Sequence, residues 1–307
     1  RLTFLPNHVF SNLTNLHTLK ISYNMIHNMS RYAFSGLTNL QTLYLEGNRL
    51  TFLPNYVFSN LTNLLVLEIS DNMIHNISRY AFFGLTNLQT LCLEENRLKT
   101  INNFAFAELT NLLRLYLHKN VGLRFAEKSF HGLTKLHNLQ IRSSEIDVIN
   151  LDFFYDLFQL QTLYLPNNRI REIQGSLSIN MSALFHLTLT KNRIQSLSHI
   201  NFTNLNHLRT LSIDTNDINS ILNDAFSFLT ELTQLKLSSN KIEIVESDCC
   251  RALTNLKQVS LDNNRITQLP RNVFNSNLPN IINVLLSNNN LGSSSVVSVG
   301  CPATSIE

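Results

Sequence analysis

The sequence predicts an α/β-class solenoid: short turns stacked one on another, with a parallel β-sheet on the concave side and a mostly irregular convex side. Three observations point there: a 24-residue apolar repeat, an asparagine at a fixed place in each copy, and a phenylalanine eighteen residues after each copy's first leucine. The pattern L-x-x-L-x-L-x-x-N-x-L starts at Leu16 and recurs at Leu40, Leu64, Leu88, Leu112, Leu136, Leu160, Leu184, Leu208, Leu232 and Leu256, then once more, one residue late, at Ile281. A period in this range means stacked units, none of which can bury its apolar face alone.

The first element of each copy is a short strand. Leu16, Leu19 and Ile21 point inward, and the residues between them point outward, as the two-residue period of a strand requires. The turn follows at Asn24, with counterparts at Asn48, Asn72, Asn96, Asn120, Asn168, Asn192, Asn216, Asn240, Asn264 and Asn289; Ser144 is the exception. A side-chain amide can satisfy the backbone groups of a buried turn, which would otherwise be costly. The far side carries Phe34, Phe58, Phe82, Phe106, Phe130, Phe154, Phe202, Phe226 and Phe274, with Phe10 in the incomplete first turn. Stacked rings fill the wide side of the coil. Ser178 and Cys250 interrupt the stack; Leu177 or Ile179 fills the first gap, and Cys250 packs as a small hydrophobe. Repeat five is irregular, because Gly122 stands where a leucine is expected and Leu123 is shifted by one.

Segments such as LTNLQTLYLEGNRLTFLPNYVFSNLTNL, residues 37–64, resemble the typical subclass of extracellular leucine-rich-repeat proteins, which includes Toll-like receptor ectodomains, Slit, chaoptin and the variable lymphocyte receptors. The resemblance covers residues 1 to about 291 and implies a right-handed, curved leucine-rich-repeat solenoid in an extracellular setting, secreted or on the cell surface. The domain organisation expected is a solenoid over 1–291, a partial first repeat plus about twelve repeats, and a tail or incomplete cap over 292–307. Arg1 enters in mid-repeat, and the tail lacks the tryptophan-and-cysteine cap of the family, so the chain reads as an excised central piece or as one with atypical caps. The family spans adhesion, guidance, immunity and matrix assembly, so membership alone does not choose a function.

Composition narrows the classes. Hydrophobic residues make up 44% and the net charge is +3, with no basic run and no apolar stretch of spanning length. Neither a nucleic-acid partner nor membrane insertion by this segment is expected. Ten histidines are scattered without register to a Ser or Cys nucleophile, and no phosphate loop or Cys/His metal spacing occurs; no catalytic residue, cofactor or metal is expected. Cys92 falls on an outward strand position as an unpaired thiol, and Cys249 with Cys301 is the one disulfide worth considering.

Six glycosylation sequons, at Asn12, Asn28, Asn60, Asn76, Asn180 and Asn201, fall on the turn and convex side and leave the outward strand face bare. Residues 1–48 and 49–96 match at 39 of 48 positions, which marks a recent duplication. Six of the nine differences, His17/Leu65, Thr18/Val66, Lys20/Glu68, Tyr23/Asp71, Tyr44/Cys92 and Gly47/Glu95, lie on or beside that outward face.

Laid side by side, residues 24 apart become lateral neighbours. The middle outward row then reads Lys20, Tyr44, Glu68, Cys92, Tyr116, Gln140, Tyr164, and on to Lys236, Ser260 and Leu285. Around it stand Glu46, Asp71, Arg114, His118 and Arg142; Glu94 is expected to pair with His118, and Glu95 with Lys119. Exposed tyrosines among charges are the makings of a protein-binding hot spot. The function expected is a protein ligand docked on the concave face at Tyr44, Glu46, Glu68, Asp71, Arg114, Tyr116, His118, Arg142 and Tyr164, as in an innate-immune or cell-surface receptor. The alternative is a structural or adhesive protein that self-associates, including as a homodimer.

Overall fold

A computed structural model describes residues 1–174, 181–200, 202–203, 205–271, 273–274 and 278–292. It is a parallel β-solenoid with little helix, limited among the described residues to two 3-10 turns, Leu151–Phe154 and Leu197–His199. The chain divides into two compact units, Arg1–Ile146 with Asp152–Leu160, and Asp147–Leu151 with Gln161–Glu307.

The first unit holds β1 (Thr18–Lys20), β2 (Thr42–Tyr44), β3 (Val66–Glu68), β4 (Thr90–Cys92), β5 (Arg114–Tyr116) and β6 (Asn138–Gln140). They pair in parallel in sequence order, with Lys20 opposite Tyr44, Tyr44 opposite Glu68, Glu68 opposite Cys92, Cys92 opposite Tyr116 and Tyr116 opposite Gln140. The second unit holds β7 (Thr162–Tyr164), β8 (His186–Thr188), β9 (Thr210–Ser212), β10 (Gln234–Lys236), β11 (Gln258–Ser260) and β12 (Asn283–Leu285). There the lateral step is 24 residues until β11, where Ser260 meets Leu285; the late start at Ile281 is absorbed in that one shift.

From β2 onward each strand buries its middle residue, and the leucines inside are almost completely shielded; in the edge strand β1, Leu19 is half-buried. Behind them the phenylalanines stack. In the first unit Phe34 and Phe58 lie 5.8 Å apart at 21°, and Phe82 and Phe106 lie 6.0 Å apart at 23°. Cys250 is buried where a ring is missing, its Sγ 3.4 Å from that of Cys249. The other interruption, at Leu177, Ser178 and Ile179, lies outside the described residues, as does Cys301 and with it the Cys249–Cys301 pairing. The far side is not wholly irregular: short parallel pairs form there, Phe4–Leu5 with Asn28–Met29 and Thr100–Ile101 with Arg124–Phe125 in the first unit, and Val148–Asn150 with Glu172–Gln174 and Ser220–Ile221 with Ile244–Val245 in the second.

The asparagines work as expected. Asn48 donates its amide to the Ile21 carbonyl at 3.1 Å and the Leu45 carbonyl at 2.9 Å, and its Oδ1 accepts the Ile26 N–H at 3.0 Å. One side chain thus ties two turns together. Ser144 also ties two turns through its shorter side chain, whose hydroxyl accepts the Asn120 N–H at 3.3 Å. Its hydroxyl lies 3.3 Å from the Leu117 carbonyl, while the backbone carbonyl of Ser144 takes the Gly122 and Leu123 N–H groups at 2.9 and 3.2 Å. Gly122 adopts φ +78° and Leu123 is buried, so the irregular fifth repeat restores the core one residue late.

The position before each asparagine is left-handed: Tyr23, Asp71, Glu95, Lys119, Ser143, Asn167, Lys191, Thr215, Ser239, Asn263 and Asn288 have φ between 49° and 58°. A left-handed residue reverses the chain and sends the amide that follows inward. Its own side chain is left on the rim of the open face, which is where Asp71, Glu95 and Lys119 stand.

Candidate binding face

On the first unit the open face places most of the expected residues in three adjoining rows. Tyr44, Glu68 and Tyr116 lie half-buried in the row that ends the strands; Glu46 and His118 lie half-buried in the next, beside an exposed Arg142; Asp71 is exposed on the rim. Arg114, exposed, opens β5 and reaches the Thr90 hydroxyl at 3.4 Å. Tyr164 occupies the equivalent position on β7 of the second unit.

Several of these side chains are already engaged. Lys20 Nζ sits 4.7 Å from the centre of the Tyr44 ring, so one face of that ring carries a cation. Glu68 Oε1 accepts the Ser70 N–H at 3.1 Å. Lys119 and Glu95 form the expected ion pair at 2.7 Å, both half-exposed, where such a pair contributes little. His118 Nδ1 accepts the Arg142 N–H at 2.9 Å. Burial and then the Arg142 charge hold its imidazole below the usual histidine range, and a neutral ring suits that acceptor role.

Glu94 forms the centre of an unexpected cluster. Burial first, and then the neighbouring Glu68 and Glu95, push its carboxyl up to about 7. Its Oε2, and that of Glu46, are shielded from solvent and accept no hydrogen bond. Cys92 occupies the outward row as expected but is only 9% exposed, because the longer side chains around it close over the thiol. Desolvation, then the hydrogen bond to Glu68, push that thiol far above its ordinary value, so it stays protonated on its own. Desolvation also raises Tyr116. The lateral reading had already set Cys92 between Glu68 and Tyr116. What it could not supply was the depth of the pocket formed by its neighbours.

Over residues 1–107 the carboxylates gather on one face. All five carboxylates in residues 1–107, Glu46, Glu68, Asp71, Glu94 and Glu95, lie on the strand face or its rim. Away from the sheet runs a ladder of rings and cations that sequence reasoning missed. Arg31 lies 5.5 Å from the Tyr32 ring and 4.6 Å from Tyr56; Tyr56 stacks on Tyr80 at 5.2 Å; Arg79 lies over Tyr80 at 5.1 Å and Phe104 at 5.9 Å. Its signal was present as aromatic residues at the same phase, Tyr32, Tyr56, Tyr80 and Phe104, two of them preceded by arginine. The ladder ends at a cavity of about 460 Å³ lined by Phe104, Lys128, Phe153 and Tyr155, with His131 and Asp156 paired at 2.7 Å. No Ser, Thr or Cys lines it, so this His–Asp pair has no such nucleophile to activate.

The sequons sit off the strand face: Asn12, Asn60 and Asn76 are exposed and Asn28 is half-buried, while Asn180 and Asn201 lie outside the described residues. Among the described residues no helix is long and apolar enough to cross a membrane.

Five overlapping matches to the leucine rich repeat model, at residues 1–50, 38–98, 86–143, 134–194 and 182–242, cover the chain continuously through residue 242. No curated protein matches it. Among solved structures, the TLR13–ssRNA13 complex is similar at 26% identity and a TM-score of 0.77 over 97% of this chain; the chain spans 47% of that one. An internalin, inlF of Listeria monocytogenes, is similar at 26% identity and a TM-score of 0.61 over 94% of this chain and 86% of its own. The Toll–Spatzle complex of Drosophila shares the fold at 24% identity and a TM-score of 0.84, over 94% of this chain and 40% of that one.

Proposed function

The chain belongs to the leucine-rich repeat family, and from that premise we propose that it is a non-catalytic recognition ectodomain, extracellular, that binds a protein on the open, concave face of its sheet. The observation that supports this reading is a local gathering of carboxylates: all five in residues 1–107 lie on one face of the first unit, together with the half-buried Tyr44 and Tyr116. A partner with a basic, partly apolar surface suits such a face. Tyr44 and Tyr116 supply contact area at small entropic cost, and Glu46, Glu68 and Asp71 set orientation and on-rate. Arg114 and Arg142 form a basic flank that fixes the register of the partner, with the neutral His118 ring between them as a further contact, and Tyr164 on the second unit is a further candidate contact. A polyanion is disfavoured on this face by the same carboxylates, although one similar structure is a complex with RNA.

The decisive experiment screens the secreted chain against arrayed extracellular proteins and then measures the partner by surface plasmon resonance. Tyr116→Ala should weaken binding by about 1–3 kcal/mol, and Lys236→Ala, on the second unit, should change it little. Normal binding by Tyr116→Ala together with loss in Arg79→Ala would move the interface to the ring-and-cation ladder. That ladder also favours a second reading, adhesion through self-association, because its cations complement the acidic face of another copy. Sedimentation of the chain across a hundredfold concentration range, with and without Arg79→Ala, separates the two.

A further inference from the structure

Glu68 and Cys92 stand on neighbouring strands of the first unit and Glu94 in the turn that follows Cys92, and their ligand atoms all lie within 4.8 Å of one another. The paired register sets Glu68 directly beside Cys92, and Glu94 follows two residues on. Two further facts separate this group from an ordinary acidic patch. Cys92 is nine-tenths buried among these carboxylates, and Glu94 Oε2 and Glu46 Oε2 are both fully shielded yet accept no hydrogen bond. Buried carboxylate oxygens without a partner are costly, and a cation is the partner that relieves several at once.

The internal duplication adds an independent observation. The first copy carries Lys20, Tyr44 and Glu46 where the second carries Glu68, Cys92 and Glu94. The first set is a cation over a ring beside one carboxylate. The second copy has exchanged the cation for a carboxylate and the ring for a thiol, and the two exchanged residues lie beside each other.

We propose that Glu68, Cys92 and Glu94 bind one thiophilic divalent cation, with zinc the best fit, a site that goes beyond the reading of the face as a protein-binding surface. Sulfur among the ligands selects zinc over magnesium or calcium, and three protein ligands leave one position open for water, Glu46 or a partner's side chain. Tetrahedral zinc holds sulfur and oxygen ligands about 3.3–3.8 Å apart, given bonds of about 2.3 and 2.0 Å. The long carboxylate side chains can close that difference by rotation. On binding, the Cys92 thiol gives its proton to solvent and the thiolate sulfur forms the bond to the metal.

The test takes the full chain, cleared of metal by a chelator, with Co²⁺ alone as the probe. One equivalent should bind and give a thiolate-to-cobalt charge-transfer band in the near ultraviolet, bleached by one equivalent of Zn²⁺. Cys92→Tyr, which restores the residue of the first copy, should abolish the band with the far-ultraviolet circular dichroism unchanged, and Cys92→Ser should do the same with less steric demand. Losing even an outer-shell partner weakens metal binding about 10–100-fold, so Glu94→Gln should weaken Co²⁺ binding at least about 10-fold. A wild-type chain without the band, or a band that survives both Cys92 variants, overturns the proposal. No protein partner enters the experiment, so such a failure leaves the protein-binding reading to stand or fall on its own measurement.

Discussion

Asn216→Ala should destabilise the solenoid by about 2–6 kcal/mol, and the estimate follows from counting which groups lose a partner and which lose their only one. The Asn216 amide donates to the carbonyls of Leu189 and Ile213, each at 3.0 Å, and its Oδ1 accepts the Ile194 N–H at 3.0 Å. Those two carbonyls are shared: Asn192 also donates to Leu189, and Asn240 also donates to Ile213. After truncation both carbonyls keep one partner, so each loss costs about 0.5–1.5 kcal/mol. The Ile194 N–H has no such reserve, and leaving it buried without an acceptor costs about 1–3 kcal/mol. Urea unfolding followed by circular dichroism and tyrosine fluorescence measures the change, since the chain has no tryptophan. The midpoint should fall with the slope unchanged. Asn216→Asp keeps an acceptor for Ile194 but sets a charge against carbonyls, and should cost at least as much. A shift below about 0.5 kcal/mol, the level of an ordinary surface change, would refute the claim that these amides carry the turns.

Three further outcomes can be checked on the same material. Gly84→Ala should cost about 2–4 kcal/mol in the same urea assay, because φ is +90° and a Cβ would meet the backbone oxygen of Ser59 at 2.5 Å. Asp214 has its carboxyl held above the usual range by desolvation, against the opposing Ser238 N–H bond and the Lys236 charge, so the folded state prefers the protonated form. That contribution is complete below the unfolded pKa of about 3.9 and is lost as pH rises through the folded value; Asp214→Asn should therefore raise the urea midpoint at pH 7 and lose the advantage toward pH 3. Secretion from eukaryotic cells should load glycan on Asn12, Asn60 and Asn76 without weakening partner binding, and intact-mass spectra before and after deglycosylation will show it; three bare sites would remove the argument that sugar leaves the strand face free.

The parts of this fold legible in the sequence are those where the repeat dictates the answer. A leucine that must be buried, an asparagine that must bridge two turns and a ring that must fill the wide side can be read by position alone, down to the substitution at Ser144 and the shift at Ile281. The open face is different, because there the outcome depends on side-chain reach and rotamer. Row and neighbour were predictable for Cys92, yet its burial comes from the length of the glutamates around it. His118 accepts the Arg142 backbone N–H, a partner that no side-chain spacing encodes. The left-handed row was hidden for another reason: apart from Gly47 its occupants are ordinary residues, and only the geometry of the turn reveals the strain they share.

The two duplicated copies explain why the face, and not the core, is the place to look for function. Inside the coil their differences are nearly neutral in shape, as with Met29 and Ile77, both apolar and both buried. On the face the differences are coupled. Lys20 lies over the Tyr44 ring in one copy, whereas Glu68 faces the Cys92 thiol in the other, so a favourable cation–aromatic pair has become a carboxylate–thiol pair by two changes in adjacent positions. The solenoid makes such coupled change inexpensive, because its backbone-to-backbone ladder and its buried asparagine amides use none of the side chains exchanged. Stability is thus carried by the inward positions and the turns, and chemistry is free to diverge on the outward rows, one strand at a time.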